Sequence, residues 1–200
     1  MAFTIDYFLA PQSPWTYLGH ARLAAMARNA GAALRVLPTD FGRVFPVSGG
    51  LPLARRAAQR QAYRMVELQR FSAWLGIPLV LQPRYFPVAA DDAARLIIAA
   101  DALEGSDAAM RLTGAVLSAV WVQERNIADS AVLAELLQEC GLPAGCLQHA
   151  MGAQVQAMYD SHTQEAIDGG VFGAPTYRID GELFWGQDRL DFVARRLAPA

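Results

Sequence analysis

The sequence predicts an α/β fold in which the two ends of the chain build one sheet and an all-helical block lies between them. Three observations carry this. The first 40 residues alternate strand, helix, strand. Residues from about 54 to 168 follow a helical period almost throughout. The last 25 residues return to two short strands and a closing helix. Alternating β and α elements at one end, with strands again at the other, place both ends in one layered domain.

The elements follow in order. Phe3–Leu9 is aromatic and β-branched and stops before Pro11, as a strand does. Ser13-Pro14 then opens a helix, because serine caps well and proline suits the first helical position. Trp15, Leu18, Leu23 and Met26 fall on broadly one face, and Gly31 ends it. Leu34–Leu37 is a second strand, so the opening unit is β-α-β with a right-handed parallel crossover. Thr39 to Leu53 reads as a loop, punctuated by Gly42, Pro46, Gly49, Gly50 and Pro52. Helices are expected at 55–75, 89–104, 107–124, 130–139 and 144–168, the last broken near Gly152. Thr176–Asp180 and Leu183–Trp185 are strands joined by an Asp180-Gly181 hairpin turn, and Asp188 caps a helix over 189–197. The sheet should therefore mix parallel and antiparallel pairs. The order is that of a thioredoxin-like domain, 1–42 plus 169–200, carrying a helical insertion at 43–168.

Composition narrows the function. The chain has 200 residues, long enough for one well-buried core, and 54% of them are hydrophobic. Net charge is −2, which advertises neither nucleic acid nor an anionic membrane as partner. Every cationic side chain apart from histidine is arginine; the absence of lysine removes Schiff-base chemistry. Cys140 and Cys146 have five residues between them, which is not a Cys-x-x-Cys motif, and read as ordinary thiols. His20, His149 and His162 show no ligand spacing, so no metal site is expected. No leader-like segment and no apolar run of about 18 residues is read, and a cytoplasmic protein is expected.

Two points then stand out. Ser13 sits where a helix begins, among unpaired N–H groups at the positive end of a helix dipole. Such a place stabilises a thiolate and lowers a thiol pKa. In a thioredoxin-like oxidoreductase the run Ser13-Pro14-Trp15-Thr16 is where Cys-x-x-Cys would lie. Without cysteine there the chain cannot exchange dithiols by itself, but it can activate a foreign thiol. Pro175 is the second point. It follows Gly169, Gly170 and Gly173 in a segment that should pass close to the Ser13 turn. A cis Ala174–Pro175 bond would turn the Ala174 backbone toward the site, where an extended peptide can pair with it. Near the C-terminus, Gln187 and the N–H groups of the closing helix can hold an α-carboxylate, and Asp188 an α-amino group.

The segments Asp6–Leu9 with Ser13–Leu18, Phe86-Pro87, Ala119–Val122, Gly170–Tyr177 and Phe184–Leu190 together resemble the 2-hydroxychromene-2-carboxylate isomerase family, kin of the kappa-class glutathione transferases. The resemblance spans essentially the whole chain, in order. It implies a glutathione-dependent isomerase acting on a small aromatic carboxylate, with naphthalene breakdown as its setting and a homodimer as its assembly. By it, Ser13 supports the glutathione sulfur, Ala174 beside Pro175 pairs with the cysteinyl part, and Gln187 and Asp188 clamp the γ-glutamyl end. The family often carries a lysine and an asparagine after the second strand; here Arg43 stands near the first place and Gly50 near the second. Arg43 can still hold a carboxylate through two parallel N–H bonds. Arg55, Tyr63 and Arg64 are further wall residues, and Tyr85, Phe86, Trp121 and Trp185 are aromatic candidates for an apolar slot.

The implied chemistry is reversible addition of a thiolate to a conjugated enone, which makes a double bond temporarily single and free to rotate. Two alternatives stay open on the residues alone. In a kappa-like transferase the adduct would be released. In a non-catalytic binding module the Pro175 edge would hold peptides.

Overall fold

The computed structural model describes residues 3–198. Strand β1 (Thr4–Leu9) pairs in parallel with β2 (Ala33–Pro38) and antiparallel with β3 (Thr176–Ile179), which pairs antiparallel with β4 (Glu182–Trp185). The sheet order is β2-β1-β3-β4. Both chain ends thus contribute to one mixed sheet, as the sequence predicts. The Asp180-Gly181 turn has φ of 49° and 84°, the positive values a tight hairpin turn requires.

Helix α1 (Pro14–Ala30) forms the crossover between β1 and β2. Ser13 caps it, accepting from the Thr16 N–H at 3.3 Å, and Gly31 ends it at φ 62° with its N–H on the last carbonyls. The segment expected as a loop holds helix α2 (Phe41–Ser48) instead. The Asp40 carboxylate caps it through the Gly42 N–H at 2.8 Å. Phe41 and Val44, three apart, bury against Phe8, Leu37, Ala166 and Val171. That burial outweighs Pro46, which lies late in the helix. A domain boundary at 42/43 would cut α2 in two.

The other helices are α3 (Ala58–Leu75), α4 (Asp91–Glu104), α5 (Ser106–Trp121), α6 (Ser130–Glu139), α7 (Gly145–Ala150), α8 (Ala153–Asp168) and α9 (Leu190–Leu197). Asp129 caps α6, and the break expected near Gly152 separates α7 from α8. The helix expected at 107–124 stops at Trp121, and Glu124 turns at φ 53°. Asp188 is not a helix cap: Gln187–Arg189 form a short 3-10 turn that runs into α9, with Gly186 at its head. No described helix is long and apolar enough to cross a membrane.

Alternation along the strands decides the layers. Ile5, Tyr7, Leu9, Val36, Tyr177 and Ile179 face one core, which α4 and α5 fill and which continues to α8. The inserted helices therefore share a core with the sheet. On the opposite face Asp6, Arg35, Glu165 and Arg178 form an ion-pair network.

One buried polar contact fixes α1. His20 sits between the Tyr7 hydroxyl, 3.3 Å from Nδ1, and the Met110 carbonyl, 3.0 Å from Nε2. The neutral ring protonated on Nε2 satisfies both. Burial lowers its pKa to about 4, opposed by the Met110 carbonyl. The folded value lies below the ordinary 6.5, so the unfolded chain binds the proton more readily. Stability linked to His20 is complete above about pH 6.5 and is lost as pH falls toward 4. Thermal melts between pH 7.5 and 5 should fall more steeply for the wild type than for His20→Gln. Parallel curves would exclude this contribution.

Candidate active site

Ser13 and Ala174, 161 positions apart in sequence, line the same lobe of one cleft. This lobe, about 460 Å³, lies between the head of α1, α2, α3 and the segment before β3. A second lobe of about 500 Å³ continues over Gly186–Arg189. Trp15, Arg56, Arg60, Arg64, Ala174 and Trp185 border both, so the two form one cleft.

Local structure explains what each element offers. The Ser13 hydroxyl accepts from Thr16 N–H, which leaves its own O–H free to donate into the lobe. Pro14 has no N–H, and the Trp15 N–H lies in the first turn, where no intrahelical acceptor exists. The Ala174–Pro175 peptide is cis. Pro175 is buried and its carbonyl accepts from the Gly186 N–H at 2.8 Å, which ties the strand start to the turn after β4. Ala174 precedes the strand ladder and is half-buried, with its backbone bordering the cleft. Gly173 allows this, because a Cβ there would collide with the Trp185 indole nitrogen. Trp185 also meets Phe172 edge-on at 4.7 Å and forms an aromatic rim.

The other expected residues divide. Asp188 borders the second lobe, half-exposed, and pairs with Arg189 at 2.7 Å. Gln187 borders it too, but its side chain is turned inward: Arg22 donates to its Oε1 at 2.9 Å and to its backbone carbonyl at 3.2 Å. It acts as a strut between α1 and the turn, and its Nε2 is buried with no partner among the described residues. Arg43 stands outside both lobes. It lies on the outer side of α2 and pairs with Asp160 of α8 at 2.8 Å, away from the cleft. Arg55 and Tyr85 also line neither lobe, whereas Tyr63 and Arg64 do. Phe86 walls the Ser13 lobe, and Trp121 is wholly buried behind it at 4.8 Å.

The sequence reading missed Arg56 and Arg60. Arg60 and Arg64 lie one turn apart on α3 and Arg56 stands just before the helix, and the four-residue spacing was the available signal. No carboxylate of the described residues pairs with any of the three. Burial first, and then repulsion from Arg56, lowers the Arg64 pKa to about 10, so it stays charged at neutral pH.

Comparison with known proteins agrees with this picture. The DsbA-like thioredoxin domain matches residues 4–198. The 2-hydroxychromene-2-carboxylate isomerase of Pseudomonas putida is 30% identical over 189 residues, covering 93% of this chain and 90% of that protein. This chain belongs to the 2-hydroxychromene-2-carboxylate isomerase family. A second isomerase of the family, from Sphingobium xenophagum, is 29% identical over 195 residues, 96% of this chain and 97% of that protein. A solved structure of a 2-hydroxychromene-2-carboxylate isomerase superposes with a TM-score of 0.81 at 27% identity, over 97% of this chain and 94% of the other. As a 2-hydroxychromene-2-carboxylate isomerase family member with serine at the head of α1, the chain lacks the cysteine pair that dithiol exchange would need there.

Proposed function

We propose that this protein is a glutathione-dependent cis-trans isomerase of 2-hydroxychromene-2-carboxylate or a related aromatic enone-carboxylate. The observation that carries the reading is the shared lobe of Ser13 and Ala174: a free hydroxyl donor at a helix head faces an unladdered backbone edge across one cleft. The relatives named for this isomerisation support the substrate class.

The residues present fit glutathione. Its cysteinyl backbone suits the Ala174 edge, its sulfur suits Ser13, and its α-amino group suits the Asp188 carboxylate. Gln187 contributes by fixing the turn that carries Asp188. When bound, glutathione supplies a thiolate nucleophile that adds reversibly to a conjugated double bond. Ser13 holds the negative form by donating its O–H, and the head of α1 adds its dipole. The aromatic walls and the arginines keep an aromatic anion beside that point, which converts an encounter into an intramolecular arrangement.

The test is conversion of 2-hydroxychromene-2-carboxylate followed with and without reduced glutathione. Conversion should occur only with the thiol. Equal conversion without it would overturn the reading, and accumulation of a stable adduct would mark a transferase instead.

A further inference from the structure

The two lobes differ in charge. Glu67 and Asp188 border the second lobe, and each is offset by a neighbouring arginine, Arg70 and Arg189. Among the described residues no acidic one borders the Ser13 lobe, and Arg56, Arg60 and Arg64 border it as they border the second. The three arginines are shared, so what distinguishes the second lobe is its carboxylates: it can also receive a cationic group, whereas the Ser13 lobe offers a ligand positive charge only.

Within the Ser13 lobe the three cations are not equivalent. Arg56 donates its Nε to the Leu51 carbonyl at 2.9 Å. Arg60 is exposed. Arg64 is half-buried, and its only side-chain acceptor among the described residues is the Met65 sulfur at 3.7 Å. Its guanidinium lies 5.3 Å from the centre of the Phe86 ring and 5.9 Å from that of Trp121. Those faces attract the cation and hold it in one place. They offer no hydrogen-bond acceptor, so a planar five-donor fork is fixed in an aromatic lobe with nearly all its donors unused. Partial burial without a counter-charge is costly, and an anionic ligand removes that cost.

We propose that Arg64 is the specificity-determining residue of the Ser13 lobe, receiving the carboxylate of the aromatic co-substrate through its guanidinium fork. The co-substrate is then a planar aromatic acid with its carboxylate on α3 and its ring between Phe86 and the aromatic rim. The proposal rests on the Ser13 lobe being the co-substrate half of the cleft. It does not require that glutathione fill the other half.

The experiment is calorimetric titration with two probes of the same shape, trans-2-hydroxycinnamate and its primary amide. Wild-type protein should bind the carboxylate at least tenfold more tightly than the amide. Arg64→Gln should weaken the carboxylate about 10- to 100-fold, the scale of a lost charge-assisted pair, and leave the amide unchanged. Arg64→Lys should retain part of the preference, as a point charge without the fork. S-Methylglutathione, titrated separately, should bind all three proteins within about twofold. Equal binding of acid and amide by the wild type, no binding of either, or a preference that survives in Arg64→Gln would each overturn the proposal. If Arg64→Gln does not fold, the wild-type preference and Arg64→Lys still decide it. Failure of S-methylglutathione to bind would count against the glutathione reading alone.

Discussion

Ser13→Ala should leave a folded protein that has lost most of its activity. Two separate roles of one hydroxyl set the two magnitudes. As a cap, Ser13 accepts one hydrogen bond from Thr16 N–H at 3.3 Å. Losing such a cap costs about 1 kcal/mol, which lowers the melting temperature of a chain this size by about 2–4 °C. As a donor to a thiolate, the same hydroxyl makes a hydrogen bond to a charged group, worth about 1.5–3 kcal/mol. Its removal should reduce kcat/KM by about 10- to 150-fold. The sign with pH is also fixed. A donor that favours the thiolate lowers the thiol pKa, so its loss raises that pKa and moves the acidic limb of the pH–rate profile to higher pH. Melting curves together with pH–rate profiles for both proteins check this. An alanine variant with unchanged activity would remove Ser13 from the chemistry, and an unfolded one would make it mainly a cap.

What the sequence made legible was local. Ser13-Pro14 marked a helix start, Asp180-Gly181 marked a hairpin, and Gly152 marked a break, each through the conformational limits of two or three residues. The departures are tertiary. Pro46 and Gly42 hid α2, because only the burial of Phe41 and Val44 against Phe8 shows why a short helix forms there. Once α2 exists, Arg43 is carried to its outer side and meets Asp160, more than 100 residues away. Gln187 is likewise turned by Arg22, whose approach no local pattern announces. The arginine spacing at 56, 60 and 64 was legible in principle. Spacing alone gave one face of a helix, but not which face bordered the cleft.

Gly19→Ala should weaken both the fold and the binding of glutathione. In most helix interiors this change stabilises by roughly 1 kcal/mol, because alanine is the better helix former. Here a Cβ would lie 2.7 Å from the Tyr177 hydroxyl oxygen and 2.9 Å from the Gln187 Cβ. Both neighbours are buried, Tyr177 wholly and Gln187 to 1% exposure, so neither can swing into solvent. Overpacking of this kind costs about 1–3 kcal/mol and outweighs the helical gain. The relief available is to move the 187–189 turn away from α1. That movement stretches the two hydrogen bonds from Arg22 to Gln187 and shifts Asp188 away from the lobe that holds Ser13. The expected result is a melting temperature lower by a few degrees. Affinity for S-methylglutathione should fall on the order of tenfold, with a smaller loss in kcat at saturating thiol, since Ser13 itself stays on α1. Calorimetry and thermal melts on the one variant test both parts. A raised melting temperature would show that the close approach of α1 to the turn is not rigid. Unchanged thiol-peptide affinity in a destabilised variant would separate the turn from the binding site.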